Sequence, residues 1–162
     1  MSTANTPSAV PFEPEFVQAI VELFEQKIVF NQHIGLKIDE VRPERVSGHL
    51  DLRPELIGHY AHHRLHGGVI SAAMDSMGGL AVLAAMAARH MDDSVEQRMH
   101  RFSKLGTIDL RVDYLRPAVG SARFGIGAET LRLGSRVAST RMAFHGADGT
   151  LLAVGSAAYI VS

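Results

Sequence analysis

The sequence has 162 residues, with 16 lysines and arginines against 17 aspartates and glutamates, and it contains no cysteine. A chain of this length can form one domain with a substantial core. Its near-neutral charge argues against a nucleic-acid-binding protein, and the lack of cysteine excludes disulfides and thiolate chemistry. Residues 1–12 lack the basic start and apolar core of a signal peptide and predict a flexible tail. We therefore expect a cytoplasmic protein.

Residues 13–162 are predicted to form a single domain that opens with an amphipathic helix. Apolar side chains recur every three or four positions over residues 13–30, with charged residues between them. Residues 36–41 and 46–52 have the composition of two short strands. The polar stretch that follows, residues 55–65, predicts a loop that carries several histidines.

A single charge, Asp75, interrupts the apolar run of residues 69–88. The run is long enough to be tested as a membrane span, but a carboxylate near its middle would cost roughly 2.5–3.5 kcal/mol on insertion. Its many alanines, methionines and glycines offset little of that cost. A helix that is apolar on all sides is otherwise buried in a globular core. Residues 67–89 therefore predict a central helix enclosed by other elements, and no membrane span.

The last third of the chain is strand-like and follows a charged segment, residues 90–106, for which we expect a loop with one helical turn. The predicted strands cover residues 107–115, 122–133, 136–144 and 151–161. Turn pairs at 134–135 and 148–149 predict hairpins, and hence an antiparallel sheet. The apolar helix must then lie on the concave face of that sheet. These elements predict an α+β hotdog fold, with a curled antiparallel sheet of five to six strands around one long central helix, plus the N-terminal helix.

Two glycines, Gly67 and Gly68, stand at the predicted start of the central helix. The first N–H groups of a helix have no partner within it, and the helix dipole adds partial positive charge there. Glycine lets the oxygen of another molecule approach the backbone closely. The pair is therefore a candidate oxyanion-binding site, although a tight turn into the helix explains two glycines equally simply.

Asp75 is the strongest candidate for a functional residue. A carboxylate in an apolar segment is rarely kept without a partner or a task. It could act as a general base or nucleophile on an acyl carbon, or it could be a structural group bonded to the backbone or to the hydroxyl of Ser71 or Ser76. Asp75 follows Gly67 by eight residues, about 12 Å along a helix. One reacting carbonyl cannot touch both, so a shared site would need two subunits.

Four histidines, His59, His62, His63 and His66, fall within eight residues and raise the question of a metal. Their spacing does not match a helical metal motif such as H-E-x-x-H, and there is no cysteine to help. We expect no metal site, and we expect His66 to orient the turn into the helix. No G-x-S-x-G occurs, which argues against a serine hydrolase of the nucleophile-elbow type.

The stretch "HGGVISAAMD", followed some thirty residues later by "GTIDLRVDYLRPA", resembles the hotdog acyl-CoA thioesterases. It looks most like the PaaI-like branch, and within it the YigI-like bacterial enzymes that cleave medium- and long-chain acyl-CoA. The resemblance covers residues 30–162. It implies hydrolysis of a fatty acyl-CoA thioester to free acid and coenzyme A, with no cofactor, because coenzyme A is part of the substrate.

The resemblance also implies roles for individual residues. Gly67 and Gly68 match the glycines whose N–H groups polarise the thioester carbonyl. Asp75 matches the helix carboxylate that attacks the carbonyl or activates water. Thr107 falls where relatives have a serine or threonine that helps to hold the water. His66 matches the histidine before the glycines.

Relatives often have asparagine or glutamine six or seven residues before that histidine, where this chain has Tyr60 and His59. Either side chain could donate a hydrogen bond to the carbonyl. Arg116, Arg132 and Arg136 lie at predicted strand ends and turns and are candidates to hold the phosphates of coenzyme A, although each could equally be a solvated surface residue. The family implies a homodimer with its helices side by side, which usually pairs again into a homotetramer.

Two alternatives stay open at this point. Another hotdog reaction, the dehydration or hydration of an acyl thioester, would use an acid/base pair such as His66 and Asp75. A non-catalytic acyl-CoA-binding module, such as a lipid-sensing regulator, would need a DNA-binding segment. The sequence before the first predicted strand holds a single helix, and Asp75 would be superfluous in a pure binder.

Overall fold

The computed structural model describes residues 11–162, and most of the tail predicted at residues 1–12 therefore lies outside the described part. Its strands are β1 (Lys37–Val41), β2 (Val46–Asp51), β3 (Ile57–His59), β4 (Arg64–Leu65), β5 (Gly106–Tyr114), β6 (Arg123–Leu133), β7 (Val137–Gly146) and β8 (Leu151–Ile160). Its α-helices are α1 (Pro14–Glu22), α2 (Val29–Ile34), α3 (Gly67–Ala88) and α4 (Val95–His100). Six of the strands form one antiparallel sheet in the order β1-β2-β6-β7-β8-β5, so β1 and β5 are its edges.

The central helix α3 lies across this sheet, mainly over β6 and β7, and forms the core with it. Met74, Met77 and Leu80 are fully buried between the helix and the strands. By length and composition alone α3 could cross a membrane, but 67% of its most apolar window is buried inside the protein, as expected for the core helix of a globular domain. The predicted hotdog arrangement of one long helix and a curled antiparallel sheet is confirmed.

The apolar spacing had predicted one continuous N-terminal helix, but the structure interrupts it. After α1, a single π-helical turn covers Leu23–Lys27, and Ile28 then leaves the helical region with ψ 95° before α2 begins. A π-helical turn contains one residue more than an α-helical turn. The apolar residues still recur at intervals of three and four across it, so the sequence pattern does not reveal the turn. The change of direction brings Asn31 to α3, where its Oδ1 accepts a hydrogen bond of 2.7 Å from the hydroxyl of Ser76.

Phe12 is buried against Phe16, with 4.8 Å between the ring centroids, although the sequence assigned it to the tail. A second difference lies after α3, where the predicted loop contains the helix α4 and a further 3-10 turn. The buried guanidinium of Arg98 fixes α4 to the N-terminal helix, because it pairs with Glu13 and lies 4.4 Å from the centroid of Phe16. This long-range contact explains why a charged segment is ordered as a helix.

The segment predicted as a polar loop forms the small hairpin β3-β4, with 3-10 turns at Pro54–Leu56 and Tyr60–His62. His63 closes the second turn in the left-handed region, with φ 46°. The hairpin leads directly into α3 and thereby fixes the position at which the central helix begins.

Candidate active site

The side chain of His66 caps the start of α3. Its Nδ1 accepts a hydrogen bond of 2.8 Å from the N–H of Gly68, so Nδ1 carries no proton. The sequence had assigned the N–H groups of both glycines to the thioester carbonyl, but that of Gly68 is already engaged. Within residues 11–162 no hydrogen-bond acceptor approaches the N–H of Gly67. Gly67 therefore supplies the free donor at this end of the helix.

The motif "YLRPA" at the end of β5 holds the helix start from the opposite side. The hydroxyl of Tyr114 donates a hydrogen bond of 2.8 Å to the carbonyl oxygen of Gly67. Two residues earlier in the helix entry, the N–H of Leu65 donates to the carbonyl oxygen of Ala118 at 3.1 Å. Together with a backbone bond from His66 to Leu56, these contacts fix the backbone around Gly67 before any ligand binds.

The carboxylate of Asp75 is bonded to two hydroxyl groups. Thr107 on β5, which the sequence matched to a residue that helps to hold the water, donates to Oδ1 at 2.9 Å. Tyr159 on β8 lies 3.2 Å from the same Oδ1 and 2.8 Å from the main-chain oxygen of Asp75. The two serines proposed as structural partners bind elsewhere, Ser71 to the carbonyl oxygen of Gly68 and Ser76 to Asn31.

Asp75 lies on the one side of α3 that the sheet does not cover. The helix looks apolar on all sides in the sequence, yet Ala72, Asp75 and Gly79 are partly exposed and share a face, while Met74 and Met77 on the opposite face are buried. Thr107 is exposed beside this face because β5 is an edge strand. The carboxylate is thus half-buried and open to a ligand or to another chain.

Edge strand β5 contacts both parts of the candidate site. Thr107 near its start binds Asp75, and Tyr114 at its end binds Gly67. The two ends of the strand therefore hold the carboxylate and the helix start in a fixed relation, with about 12 Å of helix between them.

A groove of about 390 Å³ opens beside Gly67. Its lining includes Arg64, Leu65, Ile70, Tyr114, Pro117 and Arg116. The predicted phosphate-binding residue Arg116 therefore lies close to the helix start, with its Nη1 donating to the carbonyl oxygen of Leu151 at 2.9 Å.

The other predicted binding residues are dispersed. His59 ends β3 and stacks on His62, with 4.7 Å between the ring centroids, and Tyr60 is largely exposed beside them. Arg132 and Arg136 are exposed at the β6–β7 hairpin, next to the C-terminal end of α3, where Arg89 binds Leu133. Within one chain the structure brings Arg116 to Gly67 but places the two hairpin arginines at the far end of the helix.

Tyr159 is the functional candidate that sequence reasoning missed. It is 2% exposed, and burial together with the charge of Asp75 raises the pKa of its hydroxyl above the ordinary value for tyrosine. A tyrosine within an apolar strand signals that its hydroxyl needs a buried partner, but the sequence does not say which residue that is. Among the described residues, no group of three or more histidines, aspartates or glutamates is arranged to hold a metal ion.

Comparison with known proteins identifies the family. A sequence model of the thioesterase superfamily matches residues 62–153. The chain is 35% identical over 154 residues to the medium/long-chain acyl-CoA thioesterase YigI of Salmonella typhimurium, a match that covers 95% of this chain and 99% of that protein. The chain belongs to the thioesterase superfamily. The YigI protein of Escherichia coli matches this superfamily member over the same shares of the two chains, with 34% identity.

A solved structure supports the same assignment for this thioesterase-superfamily protein. The crystal structure of a Shewanella oneidensis protein related to the superfamily is 35% identical and superposes with a TM-score of 0.84, over 93% of this chain and 100% of that one. The resemblance found in the sequence motifs is therefore confirmed, and so is the hotdog fold. The motif "HGGVISAAMD" carries both the free N–H of Gly67 and the carboxylate of Asp75.

Proposed function

We propose that this protein hydrolyses fatty acyl-CoA of medium to long chain length to the free acid and coenzyme A, in a site shared by two subunits. The observation that carries the proposal is the carboxylate of Asp75, held at Oδ1 by Thr107 on the uncovered side of a helix whose first N–H is free. The acyl chain length rests on the names of the YigI relatives, which this chain covers over 99% of their length.

In this mechanism the N–H of Gly67 donates to the thioester carbonyl oxygen and stabilises the negative charge that develops there. Asp75 takes a proton from water as the water oxygen bonds to the carbonyl carbon, or its carboxylate attacks that carbon directly. In the first route the carbon–sulfur bond then breaks, the free acid is released, and the proton held by Asp75 passes to the coenzyme A sulfur. In the second route the carbon–sulfur bond breaks to leave the acyl group on Asp75 as a mixed anhydride; water then hydrolyses the anhydride to the free acid and restores the carboxylate, and the proton released protonates the coenzyme A sulfur. Both routes need Asp75 in its ionised form.

A second copy of the chain is needed because Gly67 and Asp75 are about 12 Å apart along one helix. Two features support a two-fold pair. Strand β5 is an unpaired edge, and the apolar side chains of Ile108 within it and of Leu115 directly after it are exposed. The uncovered side of α3 carries the small residues Ala72 and Gly79 beside Asp75, which allow close approach of a second helix. A further pairing of dimers into a tetramer is part of the proposal.

Coenzyme A is proposed to bind along the groove beside Gly67, with Arg116 available to its phosphates. Arg132 and Arg136 can contribute only if the two-fold pair brings the far end of α3 to that groove. His59 and Tyr60 remain proposed contacts to the acyl carbonyl. No cofactor takes part in the proposed reaction, and we propose a cytoplasmic location.

The hydration or dehydration alternative is less well supported by the site. It would use the ring of His66 as an acid or base, but Nδ1 is engaged with the N–H of Gly68. A protein that only binds acyl-CoA would not need a carboxylate held by the hydroxyl groups of Thr107 and Tyr159.

The test is a thiol-release assay on a series of acyl-CoAs that includes acetyl, octanoyl, palmitoyl and phenylacetyl groups. We expect release to be fastest with the fatty acyl groups of eight or more carbons. The Asp75→Asn variant, purified in the same way, controls for a contaminating hydrolase. If wild-type protein releases no thiol from any of the series, the proposal is wrong.

A further inference from the structure

Thr107 and Tyr159 are neighbours across the β5–β8 ladder, and both point to Oδ1 of Asp75. Thr107 approaches from the exposed edge, whereas Tyr159 approaches from the buried interior. One carboxylate oxygen is thus held from two sides, and no side chain of residues 11–162 donates a hydrogen bond to Oδ2. Two groups that fix the same oxygen also fix the orientation of the other one.

The fold makes room for the tyrosine at one glycine. A Cβ atom at Gly78 would overlap the hydroxyl oxygen of Tyr159, so only glycine allows that hydroxyl to reach Asp75. At the neighbouring Gly79, a Cβ would lie 3.7 Å from the ring of Tyr159, which is an ordinary contact. The contact between Tyr159 and Asp75 therefore depends on one position of α3 and tolerates change at the next.

The single proton of the tyrosine hydroxyl has two acceptors on the same residue. The main-chain oxygen of Asp75 is 2.8 Å away and Oδ1 is 3.2 Å away. Burial, and then the charge of Asp75, raises the pKa of Tyr159, so the hydroxyl keeps its proton throughout the working pH range. Hydrogen bonds to an ionised acceptor are stronger than neutral ones, so a charged Asp75 draws the proton towards Oδ1.

We propose that Tyr159 is a positioning residue of the catalytic carboxylate, which together with Thr107 holds Oδ1 and directs Oδ2 to the substrate. The inference rests on the proposed hydrolysis, in which Asp75 is the base or nucleophile. Tyr159 itself does not touch the substrate.

Tyr159 and Thr107 are the two side chains in the described part of the chain that bind the carboxylate of Asp75, and Tyr159 is the buried one. Among the described residues it is the one ionisable side chain in contact with Asp75, from β8, while β5 contributes the uncharged Thr107 and α2 the uncharged Asn31 at the adjacent Ser76. No lysine, arginine or histidine of residues 11–162 forms an ion pair with Asp75.

The first test is the steady-state kinetics of hydrolysis in Tyr159→Phe, which keeps the ring and removes the hydroxyl. Looser positioning of Oδ2 should lower kcat by about tenfold near neutral pH while KM stays within about twofold. A residue that only stabilises the fold would lower the melting temperature and leave kcat of the folded protein unchanged.

The second test does not depend on activity. The Cζ carbon of Tyr159, followed by carbon-13 NMR, should change its chemical shift in Asp75→Asn, which replaces the charged acceptor of the tyrosine hydroxyl by a neutral one. The same signal should move in Gly78→Ala, which displaces the tyrosine hydroxyl, and should stay in place in the matched Gly79→Ala.

The two proposals fail in different ways. An absence of thiol release by the wild type overturns the hydrolytic function, while the NMR comparison still decides whether the Tyr159 hydroxyl binds the carboxylate of Asp75. An active wild type with an unchanged kcat in folded Tyr159→Phe overturns the inference about Tyr159. A Tyr159 Cζ signal that is the same in Asp75→Asn and in the wild type overturns it as well.

Discussion

Gly58 lies directly against His66, so that a Cβ atom at position 58 would be 2.7 Å from both Cα and Cδ2 of the histidine. Real Cβ atoms do not approach other atoms this closely, so His66 would have to move. Gly58→Ala is therefore expected to displace the ring that caps Gly68 and to disturb the free N–H of Gly67. We expect kcat/KM for acyl-CoA to fall by about tenfold, with a loss of about 1–3 kcal/mol in unfolding free energy from the added crowding.

The control for this variant is Gly125→Ala, because a Cβ at that strand position has no neighbour within 4 Å. Steady-state thiol release and urea unfolding of both variants give the comparison. If Gly58→Ala behaves like Gly125→Ala in both measurements, Gly58 has no part in holding His66.

Asp75→Asn removes the charge of the carboxylate but keeps its shape. We expect kcat to fall by about 10² or more, in line with the loss of a general base. A non-hydrolysable thioether analogue of acyl-CoA should still bind, which calorimetry can measure. Thr107→Ala should cost less, because water can replace one exposed hydroxyl at Oδ1. Turnover within a few fold of the wild type in a folded Asp75→Asn protein would make Asp75 a structural residue.

His63 adopts a left-handed backbone with φ 46° and ψ 40°, and its side chain is exposed. The left-handed region costs a residue with a Cβ about 1–2 kcal/mol, whereas the extra chain entropy of glycine costs about 0.5–1 kcal/mol. His63→Gly is thus expected to raise the unfolding free energy by about 0.5–1 kcal/mol in urea titration. His62→Gly, one residue earlier in the 3-10 turn, should lower it. Equal losses in both variants would contradict this interpretation of the turn.

The sequence predicted those parts of the fold that depend on local periodicity. The apolar run of α3 and the alternation in β5 to β8 each follow from a repeat within one element, and the structure has them within one or two residues of the predicted bounds. The break at Ile28 was missed, and the single helical turn predicted in residues 90–106 is the six-residue helix α4 followed by a 3-10 turn. The contacts of Asn31 with Ser76 and of Arg98 with Glu13 that hold these segments join residues far apart in the chain.

The residues of the candidate site that belong to a sequence motif could be predicted. The contacts that form only when the chain is folded could not. Gly67 and Asp75 were predicted from their places in the sequence and Thr107 from the family resemblance, and the structure adds a hydrogen bond from Thr107 to Asp75 that the sequence did not predict. The capping of Gly68 by His66 depends on the rotamer of one histidine, and the contact of Tyr159 with Asp75 depends on strand register and on the space left by a glycine. Neither contact can be predicted from a local sequence pattern.

The shared site can be probed with a substitution that removes one backbone hydrogen-bond donor and leaves the course of the backbone unchanged. Gly67 is the first residue of α3, a position that favours proline, and His66 before it has the extended backbone, φ −67° and ψ 133°, that precedes proline readily. Gly67→Pro should therefore fold while losing the N–H proposed to bind the thioester carbonyl. Gly67→Ala keeps that N–H and should lose much less activity.

The most direct measurement of the central claim is the rate of palmitoyl-CoA hydrolysis by mixed dimers of Asp75→Asn and Gly67→Pro chains. Each variant alone should be nearly inactive. In a two-fold pair with one chain of each kind, one site combines the intact Asp75 with the intact Gly67, and the other carries both changes. Co-refolding at equal amounts should restore about a quarter of the wild-type rate, since half of the dimers are mixed and each has one working site. No recovery in verified mixed dimers, or an active isolated monomer, would contradict the shared site.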